Sequence, residues 1–263
     1  MKNNYNHPFH LVNYSPWPLT GSMGTMIMMM GVTKMFHKMN TNLMTMGLII
    51  IILTMIQWWR DMIRESTQQG MHTKKVTLNM KWGMMLFITS EVLFFFSFFW
   101  AFFHSSLSPS MDIGMNWPPK NIESFNPFKI PLLNSIILIS SGISVTWTHQ
   151  MMILNNKKNS IISLTITIML GVYFTIIQMI EYTEATFSIN DSVYGTTFFM
   201  TTGFHGLHVM IGTTMLTISL MRMWMNQFSS THHFGLEATI WYWHFVDVIW
   251  LFLFIFMYWW SKY

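Results

Sequence analysis

Seven long apolar runs constrain the fold of this sequence more than any other feature. They lie near residues 16–36, 41–59, 80–104, 130–153, 160–180, 195–221 and 236–260. An α-helix needs about 20 apolar residues to cross a hydrocarbon core roughly 30 Å thick. Only 9% of the 263 residues are charged, against about 25% in an average soluble domain. Membrane β-strands would instead be about 10 residues long and alternate in polarity. We therefore predict an all-α, polytopic membrane protein with seven transmembrane helices.

One polar and basic segment, "RDMIRESTQQGMHTKKVTLN" at 60–79, separates the first two helices from the last five. The sequence contains no internal repeat and no flexible domain linker. We therefore predict a single membrane domain over residues 1–263, arranged as 2 + 5. Helices 1–2 would lie in about 1–70 and helices 3–7 in about 71–263.

The basic residues predict how the chain is oriented in the membrane. Seven spans place the N-terminus and the loops 60–79, 154–159 and 222–235 on one side, with nine of the 14 Lys and Arg residues. The positive-inside bias places the N-terminus inside and the C-terminus outside. We attribute the formal net charge of +4 to this sidedness and to anionic lipid. We expect no nucleic-acid partner, because the chain has no soluble basic face.

The composition also indicates an origin and excludes some chemistry. The chain has 29 Met but only three Ala, at 101, 185 and 238, which is typical of an AT-rich organelle gene. Drift in a bacterial membrane protein is the alternative. The N-terminal segment resembles neither an Arg-rich transit peptide nor a cleaved signal, so we expect synthesis within the organelle. Cysteine is absent, which excludes disulfides, thiolate catalysis and iron–sulfur sites.

The histidines do not predict a metal or haem site. His205 and His208 lie on adjacent faces of one helix, whereas a bis-histidine haem needs ligands from opposite sides of the iron. His232 and His233 fall in a loop, and the sequence lacks the Glu-x-x-His unit of carboxylate di-iron bundles. We therefore expect no metal or haem ligand in this chain.

A lone acid, Glu91, occurs inside the apolar stretch "ITSEVLFFFSFFWAFFH". Ten residues separate it from Lys81, about 15 Å along a helix, so it lies near the membrane midplane. An ionised carboxylate is costly there, so Glu91 should be protonated or share a partner such as His208. A second acid–histidine pair, His244 and Asp247, is expected at similar depth. This polar cluster is either a neutral contact between helices or a proton-responsive site, and both interpretations stay open.

The stretch "QWWRDMIREST" predicts contact with lipid headgroups. Trp58 and Trp59 are suited to the membrane interface. They lead directly into Arg60 and Arg64, whose guanidinium groups can bind phosphate in a bidentate manner. Simple anchoring of the helix end is the alternative.

Several longer motifs resemble the subunit III family of mitochondrial cytochrome c oxidases. They are "VNYSPWPLTG", "QWWRDMIREST", "SEVLFFFSFFWAFFHSSLSP", "PLLNSIILISSG", "SVYGTTFFMTTGFHGLHV" and "HHFGLEATIWYWHFVDVIWLFLF". The likeness covers nearly the whole chain in order. It implies seven helices with a phospholipid-filled cleft between helices 1–2 and 3–7, in the mitochondrial inner membrane. The N-terminus would face the matrix and the C-terminus the intermembrane space.

The resemblance also implies a role within a larger complex. Subunit I would be the main contact, with subunit II and accessory subunits beside it, and cytochrome c would be reached through the complex only. Haem a, haem a3 and copper would reside in partner subunits, so this chain would have no bound redox cofactor and no catalytic residue. It would hold phospholipid and sustain proton uptake during turnover. Glu91 falls on the family's intramembrane glutamate. Residues expected near lipid headgroups are Trp58, Trp59, Glu65, His72 and Arg222.

One departure and two rival functions remain. The family often has paired histidines where this chain has Met71 and Gln150, so those imidazoles are not expected to be essential. A free-standing proton or ion transporter would need a continuous polar path, and the Phe-rich half of helix 3 argues against one. A quinol-oxidase subunit III would share the fold, and the presence of a copper-carrying subunit II would distinguish the two.

Overall fold

A computed structural model describes residues 9–262, and that part of the chain is helical without any β-strand. Seven long helices follow one another in this range: α1 (Trp17–Lys38), α2 (Asn42–Thr67), α3 (Lys74–Leu107), α4 (Ile130–Ile153), α5 (Lys157–Thr183), α6 (Val193–Trp224) and α7 (Phe234–Leu253). After α7 come a π-helical segment, Phe254–Trp259, and a 3₁₀ turn, Trp260–Lys262. The prediction of an all-α polytopic fold is confirmed.

Six of these helices, α2 to α7, are long and apolar enough to cross a membrane, as judged over the described residues. The helix α1 has 22 residues, but it contains three glycines and two lysines and does not reach the hydropathy of the others. The first predicted span therefore stays a prediction. The helices also extend beyond the apolar runs, since α3 begins at Lys74 rather than near residue 80.

The chain divides into two compact units, one ending at Met80 and the other beginning at Lys81. In the first unit, α1 and α2 form a tightly packed pair. Gly31 and Gly47 lie so close to the backbone of the opposite helix, at Met44 and Met28, that a Cβ atom at either position would overlap it. Small residues permit this approach between membrane helices, where packing replaces the hydrophobic effect as the driving force.

The core of the second unit lies among α4, α5, α6 and α7. Trp243 and Trp250 of α7 are almost completely buried. Their indole N–H groups donate to Ser141 Oγ at 2.9 Å and to Ser135 Oγ at 3.0 Å, both on α4. Each hydrogen bond gives an acceptor to a buried indole N–H that would otherwise be unsatisfied among apolar side chains.

Hydroxyl groups join α4 to α5 inside this core. Ser144 Oγ lies 2.8 Å from Thr167 Oγ1, and Thr148 Oγ1 lies 2.8 Å from Ser163 Oγ. All four residues are buried. Each hydroxyl also lies within hydrogen-bond distance of a carbonyl oxygen of its own helix, so the contacts between helices add to the bonds within them.

Within the second unit, α3 is buried along one side only. Phe95 and Phe102 are fully buried, whereas Phe96 and Trp100 are 59% and 65% exposed. A helix that leaves large aromatic side chains uncovered is suited to contact with lipid or with another membrane protein. Glu91 lies on this same helix and belongs to its half-buried side.

Candidate functional site

Glu91 of α3 contacts His208 of α6. Glu91 Oε2 lies 3.0 Å from His208 Nε2, and the two side chains are 23% and 11% exposed. Aromatic rings surround the imidazole, with Phe95 at 5.0 Å, Phe245 at 6.1 Å and Tyr242 at 6.2 Å between centroids. The acid at the predicted midplane depth therefore has an imidazole partner in an aromatic setting.

The second ring nitrogen of His208 fixes how many protons this contact holds. Nδ1 lies 2.6 Å from the carbonyl oxygen of Phe204, and a carbonyl oxygen can only accept, so Nδ1 carries a hydrogen. The contact between Nε2 and Glu91 then needs one further proton, held either by the carboxyl group or by the imidazole. The pair therefore shares one proton, and it is either a neutral acid beside a neutral ring or an ion pair.

The hydroxyl groups near Glu91 do not extend this contact along α3. Thr89, Ser90 and Ser97 each donate to a carbonyl oxygen of their own helix, at 2.8, 2.6 and 2.6 Å respectively. Hydroxyls committed to the backbone in this way do not form a side-chain relay. This arrangement supports a local polar contact rather than a path across the membrane.

His244 and Asp247 form a separate pair on α7. Nδ1 of His244 lies 3.7 Å from Oδ2 of Asp247. A Cβ atom placed on Gly142 of α4 would lie 2.9 Å from that same Oδ2, so the pair faces α4. Tyr242 and Phe245, by contrast, are the α7 residues beside His208. The structure thus separates the four predicted residues into two pairs: Glu91 and His208 lie beside one face of α7, and His244 and Asp247 lie on its face toward α4.

A third polar group, which the sequence analysis did not single out, is built around Glu181 of α5. Glu181 is 1% exposed and accepts from Tyr258 Oη at 3.3 Å. Nearby, Asn134 Nδ2 donates to Gln178 Oε1 at 3.2 Å. Glu181 lies in the last turn of α5, so this buried acid is near one end of the helix.

In the first unit, the predicted headgroup residues cluster around Asp61. Arg60 lies 3.2 Å and Arg64 3.8 Å from its carboxylate, which also accepts from Trp17 Nε1 at 2.7 Å. Two cations therefore share one acid. Of the other predicted lipid residues in this unit, Trp58 and Trp59 are exposed, Glu65 pairs with His10 at 3.3 Å, and His72 lies half-buried between α2 and α3.

Arg222 lies at the end of α6 in the second unit. Its Nε donates to Gln227 Oε1 at 3.2 Å, and its guanidinium carbon lies 4.4 Å from the ring centroid of Phe228. Within residues 9–262, no carboxylate lies within ion-pair distance of this guanidinium. Its remaining N–H donors are therefore suited to an anion from outside the chain.

A cluster at the same end of the second unit was missed by the sequence analysis. His149, His233 and Glu237 bring their ligand-type atoms within 4.8 Å of one another. Glu237 also pairs with Lys81 at 2.8 Å. The spacing of His233 and Glu237, four residues apart at the start of α7, was the signal that could have revealed this cluster.

Long apolar helices joined by buried polar pairs define a polytopic α-helical membrane protein. The family model for cytochrome c oxidase subunit III matches residues 7–262. The chain belongs to the cytochrome c oxidase subunit III family. It is 60% identical to cytochrome c oxidase subunit 3 of Locusta migratoria over 262 residues, which cover all of both chains.

Two further relatives extend this likeness. Cytochrome c oxidase subunit 3 of Drosophila melanogaster is 60% identical over 261 residues, 99% of this chain and 100% of its own length. The corresponding protein of Heterololigo bleekeri is 58% identical over 256 residues, 97% of this chain and 99% of its own length. Family membership supports a role as a subunit of the terminal oxidase, an oxidoreductase complex.

Proposed function

We propose that this chain is a non-catalytic core subunit of mitochondrial cytochrome c oxidase that holds phospholipid and supports subunit I. It lies in the inner membrane, with its N-terminus in the matrix and its C-terminus in the intermembrane space. Subunit II and accessory subunits are its other neighbours. Haem a, haem a3 and copper belong to partner subunits, which reduce oxygen with electrons from cytochrome c. This chain sustains proton uptake and stability while they turn over.

The environment of Arg222 is the observation that carries the lipid part of this proposal. A half-buried guanidinium without a carboxylate partner is costly to desolvate. Gln227 and Phe228 hold the group in place from two directions, which leaves its terminal N–H groups to bind an anion. Phosphate oxygens match the fork of donors on arginine, and a phospholipid supplies phosphate at the end of a membrane helix.

The cluster around Asp61 supports a second headgroup contact. Arg60 and Arg64 have side chains 45% and 53% exposed and share a single carboxylate, so the trio carries a net charge of +1. Beside them, Trp58 and Trp59 present amphipathic rings that prefer the interface. A positive group flanked by interfacial aromatics is suited to an anionic lipid surface.

The Glu91–His208 pair supports the non-catalytic part of the proposal. One shared proton and a surrounding shell of aromatic rings make the pair a satisfied contact between α3 and α6. Its neighbouring hydroxyls donate to backbone carbonyls. The pair therefore stabilises the helix packing without supplying a route for protons through this chain.

Charge removal at Arg222 tests the lipid proposal in the assembled oxidase. We expect Arg222→Gln to lower the phospholipid phosphorus retained by the purified complex and to shorten sustained turnover, while the initial rate stays near normal. Lys158→Gln is the matched control, because it removes an exposed positive charge at the start of α5. Arg222→Lys should restore part of the retained lipid, since lysine keeps the charge without the planar fork.

Two results would contradict this reasoning. Equal lipid retention in Arg222→Gln and the unaltered complex would show that Arg222 does not bind a lipid phosphate. Equal loss in Arg222→Gln and Lys158→Gln would show a general effect of surface charge rather than a specific headgroup site.

A further inference from the structure

His149, His233 and Glu237 form a compact set of donor groups at one end of the second unit. Their candidate ligand atoms all lie within 4.8 Å of one another, and the two imidazole centroids are 5.5 Å apart. This set is distinct from the Glu91–His208 pair and from Arg222. It combines two nitrogen donors with one carboxylate, a frequent combination in transition-metal sites.

Helix geometry explains why the three side chains converge. His149 lies in the last turns of α4, which ends at Ile153. His233 is the N-cap residue of α7, and Glu237 follows in the first turn. Residues four positions apart lie on the same face of a helix, so α7 presents an imidazole and a carboxylate together toward the end of α4.

Hydrogen bonding leaves two imidazole nitrogens available. His233 Nδ1 lies 2.9 Å from the carbonyl oxygen of Ser229, to which it donates, so Nε2 of the neutral ring keeps its lone pair. Backbone carbonyls orient many metal-binding histidines in this way. His149 Nε2 is buried and has no hydrogen-bond partner within the described chain. An orphaned buried nitrogen in such a cluster requires an explanation.

Lys81 already balances the charge of the carboxylate. Its Nζ lies 2.8 Å from Glu237 Oε2 and 3.3 Å from Oε1. A cation of the chain itself therefore already lies beside the carboxylate of the cluster. A metal ion binding at all three donors would take over the role of the ammonium group at Glu237.

We propose that His149, His233 and Glu237 bind one Zn²⁺ ion, with water in the fourth position and the Lys81 ammonium displaced. Zinc–ligand bonds of about 2.0–2.2 Å in a tetrahedron place donor atoms about 3.3 Å apart. Donors at up to 4.8 Å reach that spacing through side-chain rotations that close about 1.5 Å. Mg²⁺ and Ca²⁺ prefer all-oxygen ligands, so two imidazoles favour zinc over them.

Zinc titration of the full chain in zwitterionic phospholipid nanodiscs tests the proposal. Competition with a chromophoric chelator gives the amount bound and the dissociation constant, with empty nanodiscs as background. We expect one Zn²⁺ per chain. His149→Gln, His233→Gln and Glu237→Gln should each weaken binding by more than about tenfold, because loss of even an outer-shell partner has an effect of that size. His104→Gln, an exposed histidine of α3, is the matched control and should bind like the unaltered chain.

Lys81→Met separates loss of binding from loss of folding. Removal of the competing ammonium should tighten zinc binding, a gain that a misfolded chain would not produce. Zinc K-edge absorption of the loaded chain should show two imidazole nitrogens and one carboxylate. Binding below one equivalent, binding that survives the three ligand substitutions, or weaker binding in Lys81→Met would each overturn the proposal.

Discussion

The contact between Glu91 and His208 predicts how substitutions of Glu91 change the free energy of unfolding. Glu91→Leu removes the only group within hydrogen-bond distance of His208 Nε2 that the described chain provides, and a buried polar group without a partner costs about 1–3 kcal/mol. Because the His208 side chain is 11% exposed, we expect a loss of about 2 kcal/mol. Glu91→Gln should cost less than about 1 kcal/mol, since the amide N–H can donate to the neutral ring.

Unfolding of the full chain in mixed micelles, with increasing denaturing detergent, measures these free energies. The double variant Glu91→Leu, His208→Leu is the internal control. Replacing both partners by apolar groups leaves nothing stranded, so the double variant should lose about 1–2 kcal/mol less than the sum of the single losses. In the oxidase, Glu91→Gln should assemble and show a normal initial rate.

Two outcomes would refute this account of the pair. If Glu91→Gln costs as much as Glu91→Leu, then the negative charge of Glu91, rather than its hydrogen bond, stabilises the fold. If the two leucine substitutions add without any coupling, then the 3.0 Å contact contributes no energy between the side chains.

Two further substitutions test the packing of each unit. Gly31→Ala should destabilise the chain by about 1–3 kcal/mol, because the added methyl group overlaps the backbone of α2. Gly83→Ala is the control and should be neutral or slightly stabilising, because nothing lies within 4 Å of the new Cβ. Unfolding in denaturing detergent compares the two variants. Ser141→Ala should cost about 1–3 kcal/mol, because the buried indole N–H of Trp243 loses its acceptor. Ser140→Ala, whose hydroxyl bonds only its own helix at 2.8 Å, should cost much less in the same measurement, and equal losses would contradict the role of the indole bond.

The helices were predictable because hydrocarbon thickness fixes the length of an apolar run. Their ends were less so, because a helix continues for as long as its backbone bonds are satisfied, whatever the polarity of the side chains. Lys74 to Asn79 illustrate this point, since the polar start of α3 is helical although the apolar run begins near residue 80. Only the structure shows how far each helix extends into the interface.

Depth along a helix was easier to predict than direction around it. Counting residues from Lys81 placed Glu91 near the midplane and suggested His208 as its partner, and the structure places the two side chains 3.0 Å apart. The sequence analysis also expected Asp247 at similar depth. Asp247 faces Gly142 of α4 instead, because rotation about the axis of α7 depends on which residues pack against α4 and α6.

The donor cluster at His149 was missed because its members come from two helices, α4 and α7, that are distant in the sequence. The sequence shows that His233 precedes Glu237 by four residues, but it does not show where α7 begins. Since α7 starts at Phe234, His233 is the loop residue directly before the helix, as expected. Tertiary packing then brings His149 of α4 and Lys81 of α3 next to Glu237. No local sequence pattern predicts this packing.

The hydroxyl contacts between α4 and α5 also have a mechanical consequence. Ser144 contacts Thr167, and about one helical turn further along α4, Thr148 contacts Ser163. Sliding one helix past the other by a full turn of about 5.4 Å would bring Ser144 opposite Ser163, or Thr148 opposite Thr167, so only one such contact could form. Both contacts form together in only one register, so they fix the axial position of α4 against α5.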